Sequence, residues 1–122
     1  MRLSYLTSFR HAIHGLRYVY MHERSFRIQC RVAVIVLMFG LLVNFDVWEY
    51  ILLLLLCASV LTLEVLNSAV ELVLDVLKPR FSAQVGVVKD MMAGAVFLAS
   101  VCSAVVGCLL FAPHVLEMIQ RI

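Results

Sequence analysis

Apolar residues run through this chain in three long blocks separated by short polar breaks. The first block, from about Ile28 to Phe45, reads IQCRVAVIVLMFGLLVNF; the second runs from Ile51 to about Leu77, and the third from Met91 to about Ile119, with Pro113 near its end. At roughly 1.5 Å per residue the first measures about 27 Å as a helix, so it only just spans a bilayer, while the other two span with length to spare. Ahead of them, Leu6, Phe9, Ile13, Leu16 and Tyr20 recur at spacings of three and four. At about 100° per residue they fall within an arc of roughly 80°, with Arg10, His14 and Arg17 along one edge. The pattern predicts an N-terminal amphipathic surface helix over residues 1–27 followed by three transmembrane helices at about 28–45, 51–77 and 91–119. That makes an all-α membrane protein of one domain, residues 1–122.

Composition agrees. Of 122 residues, 64% are hydrophobic and 15% charged, more apolar than a soluble domain of this size can hide from water. Residues 1–31 hold six arginines and no long apolar core, unlike a cleavable signal. Cys30, Cys57, Cys102 and Cys108 lack the spacing of a zinc site and read as small hydrophobes.

Basic residues orient the chain. Arg2, Arg10, Arg17, Arg24, Arg27 and Arg31 precede or begin the first span, and Lys78, Arg80 and Lys89 lie between the second and third. The break between the first two, Asp46 to Tyr50 (DVWEY), has none, and its Trp48 and Tyr50 suit a membrane interface. The positive-inside bias places the N-terminus and the Lys78–Lys89 connection on the cytoplasmic side of the membrane.

One stretch breaks the apolar pattern. LTLEVLNSAVELVLD, Leu61 to Asp75, carries Glu64, Asn67, Glu71 and Asp75. Spacings of 3, 4 and 4 put them within about 80° of one another on a helix, as one polar stripe. Carboxylates in a bilayer cost about 2–3 kcal/mol each on the most lenient scale, so they mark function; the bland alternative is a polar clamp between helices. Counting about 20 residues from Ile51 leaves Glu71 and Asp75 at the cytoplasmic interface and Glu64 about 10 Å deeper. Interfacial acids can hold a divalent cation that bridges to substrate phosphates. A deeper carboxylate suits proton abstraction from an alcohol. Glu23, before the first span, offers another acid, and Lys89 with Asp90 a cation and an acid at the same level. Acids, metal and cations together describe phosphoryl transfer, although no Gly-rich nucleotide loop is present. Small residues at Ala95, Ala99, Ser103 and Gly107 line one face of the third span, for packing within or between chains.

EVLNSAVELVLD (Glu64–Asp75), KDMMAGAV (Lys89–Val96), GLR (Gly15–Arg17) and ERSFR (Glu23–Arg27) together resemble the prokaryotic diacylglycerol kinase and undecaprenol kinase family, over about Phe9 to Pro113. The family's connection differs here: Phe81 keeps an aromatic, but Ser82 replaces a histidine and Val88 an alanine. The resemblance implies a homotrimer of three-span subunits that transfers the γ-phosphate of ATP, with Mg²⁺, to a lipid alcohol. Undecaprenol and diacylglycerol both remain open as that alcohol, and no nucleic acid is involved. On matching positions, Glu64 resembles the general base and Glu23 and Glu71 the metal-binding acids. Asn67, Asp75, Lys89 and Asp90 resemble the catalytic and nucleotide-contacting set, with Arg10 a further nucleotide contact. A small oligomeric ion- or proton-conducting membrane protein is the alternative reading of the intramembrane acids. Against it, the half of that span toward Ile51 carries no charge.

Overall fold

The computed structural model describes residues 2–78, 80 and 82–122, with the side chains of residues 2 and 3 also left aside. The described residues form four helices: α1 (Arg2–His22), α2 (Arg24–Leu42), α3 (Val47–Leu77) and α4 (Ser82–Gln120). Three of them, α2, α3 and α4, are long and apolar enough to cross a membrane, with mean hydropathies of 1.7, 2.1 and 2.4. α3 packs against both α2 and α4, and α1 meets α2 and α3.

α1 and α2 are joined by a tight elbow. The chain leaves helical geometry only at Glu23 (φ −105°, ψ 111°). Helix ends leave carbonyls without partners. Here Arg27 reaches back and donates from Nη1 to the carbonyls of Tyr20 (2.8 Å) and Met21 (3.0 Å). Val19 and Phe26 are buried at the bend, and the Tyr20 ring meets Phe26 edge-on. The apolar stripe of α1 is exposed at Leu6, Phe9, Ile13, Leu16 and Tyr20.

The α2–α3 connection is equally short. Asn44 adopts a left-handed conformation (φ 57°), which asparagine tolerates better than most residues. Asp46 then starts α3 with a capping box: its carboxylate accepts from the Glu49 backbone N–H (2.9 Å), and the Glu49 side chain accepts from the Asp46 N–H (3.0 Å). DVWEY is therefore mostly the first turn of α3, because Asp46 and Glu49 have the cap spacing. Gly40 allows the close approach of α3 here. A Cβ on it would lie 3.2 Å from side-chain atoms of Leu53 and Phe45. Tyr50 donates from its hydroxyl to the Leu37 carbonyl at 3.1 Å.

The largest departure from the sequence-based boundaries is in α4. It starts at Ser82, so SAQVGVVK is helix and the connection from α3 shrinks to a few residues after Leu77. Pro113 lies inside α4, which continues to Gln120. Part of the small-residue face borders open space: Ser103 and Gly107 line a cavity of about 570 Å³ between α2, α3 and α4, and a Cβ on Gly107 would meet nothing within 4 Å.

Candidate active site

The polar stripe of α3 rises from a buried end to an exposed one. Glu64 is only 4% exposed. Asn67 and Glu71 are half-buried and Asp75 is exposed. Ser68, also buried, donates its hydroxyl back to the Glu64 carbonyl (2.9 Å), so it is satisfied within the helix and makes no demand on the stripe.

α2 and α4 bring in the neighbouring groups. From α2, Gln29 Nε2 donates to Glu64 Oε2 at 3.4 Å. From α4, Lys89 Nζ donates to Asp75 Oδ1 at 3.0 Å. Lys89 is thus held on the second rigid helix, opposite the exposed end of the stripe. Its side chain is 33% exposed and that of Asp75 60% exposed, so the pair is worth at most about 1 kcal/mol of stability. Asp90, next on α4, is exposed.

Glu23 is placed by the elbow. It occupies the N-cap position of α2, but its carboxylate makes no cap hydrogen bond. Nor do the side chains of Asn67, Glu71 and Asp90 bond to another described residue. Arg10 lies farther out on α1, lining an open concavity with Thr7, His11 and His14. The structure therefore joins Glu64 to Gln29 and Asp75 to Lys89. Glu23, Asn67, Glu71, Asp90 and Arg10 are left uncommitted by hydrogen bonds to other described side chains.

No group of three or more acidic, histidine or cysteine side chains among the described residues is gathered as a metal cage. The donors on offer are separate carboxylates. That suits an ion such as Mg²⁺, which keeps waters and substrate phosphates and needs only one or two protein carboxylates.

The apolar cavity begins beside this buried end. Gln29 stands at one end of its lining and Phe39, Leu53 and Phe111 toward the other, with Ala33 and Val36 between. Two features had escaped the sequence reading. Gln29 is one; its signal is an amide between Ile28 and Cys30 at the start of the first apolar block. The other is a contact at the opposite end of the bundle, where His114 Nε2 lies 2.9 and 3.0 Å from the Glu49 carboxylate oxygens. Glu49 and His114, each alone at the edge of an apolar block, had marked it.

The structure thus sets buried Glu64 against Gln29, which lines the apolar cavity, and exposed Asp75 against Lys89 of α4. Comparison with known proteins identifies the family. Residues 10–111 match the prokaryotic diacylglycerol kinase family. The chain is 33% identical over 109 residues to the undecaprenol kinase of Bacillus subtilis, a match that covers 89% of each protein. It is 36% identical over 110 residues to the diacylglycerol kinase of Synechocystis, covering 88% of this chain and 63% of that one. The diacylglycerol kinase of Escherichia coli is 28% identical over 100 residues, 82% of each. This multi-pass membrane chain belongs to the prokaryotic diacylglycerol kinase family and is a lipid kinase.

Proposed function

We propose that the protein transfers the γ-phosphate of ATP, with Mg²⁺, to the hydroxyl of a membrane lipid alcohol at the cytoplasmic face of the inner membrane. One observation carries this reading: the gradient along α3, from buried Glu64, whose partner Gln29 lines an apolar cavity, to exposed Asp75 paired with Lys89. An apolar alcohol and a polyanionic nucleotide need opposite environments, and this helix offers both within three turns.

Glu64 acts as general base on the alcohol, which reaches it along the apolar cavity without leaving the bilayer. Asn67, Asp75 and Asp90 complete the catalytic polar set. Lys89 and Arg10 contact nucleotide phosphate, Lys89 from a fixed place on α4. Glu23 and Glu71, whose carboxylates no described partner occupies, would hold Mg²⁺, which neutralises phosphate charge when bound. The active unit is a homotrimer. Its support is the resemblance to the family. α1 lies on the cytoplasmic surface with its exposed apolar stripe toward lipid. The N-terminus is cytoplasmic by the arginine bias.

The acceptor is undecaprenol or diacylglycerol, the alcohols in the names of the relatives. The deciding experiment offers purified protein in detergent labelled ATP and a panel of lipid alcohols. Phosphate is expected on one long-chain lipid alcohol, with ATP stable in its absence. ATP hydrolysis independent of lipid, or equal use of short soluble alcohols, would overturn the reading.

A further inference from the structure

Gln29 has no place in the assignments above, yet it is the side chain in hydrogen-bond contact with the buried carboxylate. Its Nε2 is the described side-chain donor to Glu64, at a long 3.4 Å. Its Oε1 is buried and has no hydrogen-bond partner among the described residues. A buried amide oxygen left without a partner, beside an N–H that makes one long bond, is costly unless something completes it. The side chain also lines the apolar cavity, whose hydroxyls from Ser100 and Ser103 make no bond to it.

We propose that Gln29 is the positioning residue of Glu64 and that its amide serves both protonation states of that carboxyl. Before transfer, Nε2–H donates to the ionised carboxylate and leaves the other carboxylate oxygen to face the alcohol. After transfer, the amide turns by half a rotation and Oε1 accepts from the new carboxylic O–H. A glutamine amide can do this because it carries a donor and an acceptor on one freely turning group. The long, unlocked contact leaves it free to turn.

This inference rests on Glu64 being the base. In that step the alcohol O–H bond breaks and its proton passes to Glu64. The alcohol oxygen's electron pair forms the new O–P bond. The bond from the γ-phosphorus to the bridging oxygen breaks, and ADP leaves with that pair. Glu64 is then a neutral acid in a buried place, with a donor to satisfy until its proton returns to water. Oε1 of Gln29 is the idle acceptor beside it.

The test compares wild type, Q29M, E64D, the double variant Q29M/E64D, and E64Q, each full-length in mild detergent with the preferred lipid alcohol. Methionine keeps the length and removes both hydrogen-bonding ends. Q29M is expected to lower kcat about tenfold to a hundredfold, the scale of a misplaced reacting group. The KM values for ATP and lipid should stay within about twofold. Adding Q29M to E64D should cost less than about twofold more, because the shorter carboxylate is already out of reach. Proton transfer should become more rate-limiting, so the solvent deuterium isotope effect on kcat should rise in Q29M. A normal kcat in Q29M, an unchanged isotope effect, or an equal loss in both backgrounds would leave Gln29 as a clamp between α2 and α3 and overturn the proposal. Should Q29M fail to assemble, Q29L carries the same comparison. E64Q tests the underlying reading separately: turnover in E64Q removes the base, and the role of Gln29 with it, whereas an inactive E64Q beside a normal Q29M removes only the latter.

Discussion

The two ends of the helical bundle use acidic residues in opposite ways. At the Asn44–Glu49 end Asp46 and Glu49 have structural employment. Asp46 caps α3, and Glu49 closes the capping box and also binds His114 of α4. Phe45 packs its ring against Phe111 and His114. Three helices are tied together there by satisfied polar groups. At the other end Glu23, Glu71 and Asp90 bind no described side chain, Glu64 has one long contact, and the Asp75 pair is largely exposed. Acids spent on structure are saturated with partners. The acids at the other end stand largely without partners, as acids reserved for a substrate would.

Substitutions at each end should separate these roles. The largest effect is expected at Glu64→Gln. Loss of a general base typically costs about 10²–10⁴-fold in turnover, while the thermal midpoint stays near wild type because the shape is kept. Near-normal turnover would place Glu64 with the structural acids. Lys89→Met comes next. Activity should fall well below wild type through loss of a phosphate contact, yet stability should move by less than about 1 kcal/mol, as for any exposed pair. Equal losses of stability and activity would show that Lys89 is a strut.

The far end should answer in stability alone. Gly40→Val has no room beside Leu53 and Phe45, and overpacking of this kind costs about 1–3 kcal/mol. Turnover per folded enzyme should hold, as measured by thermal unfolding alongside kcat. Asp46→Ala removes the cap of α3 at about 1 kcal/mol. A selective loss of kcat in either variant would erase the contrast between the two ends.

How much of this was legible in the sequence follows from the kind of signal each part carries. Three spans and the α3 stripe were readable because helical periodicity and charge in an apolar run are local properties. The pairing of Asp75 with Lys89 was readable only as shared level, since the contact depends on how α4 leans on α3. Helices begin ahead of the apolar blocks, at Val47 and Ser82, because hydropathy marks only the part of a helix within the apolar zone. The small-residue face of α4 gave no hint of a cavity, as small side chains serve close packing and open space alike. Gln29 acquires meaning only from Glu64, which lies 35 residues away in sequence.

α4 has 39 residues, about 58 Å of helix against roughly 30 Å of hydrocarbon. Lys89 is therefore mounted on an outboard extension of a membrane span, with no joint between the two. A side chain on a flexible connection would keep its place when the bilayer thinned or thickened. On a rod it cannot: a span that tilts by about 10° to match a thinner bilayer swings a point some 20 Å from its pivot by about 3–4 Å. That is the scale of a whole hydrogen bond. If Lys89 serves the reaction, membrane thickness becomes a lever on it, and turnover of enzyme reconstituted in lipids of graded chain length is expected to follow that thickness.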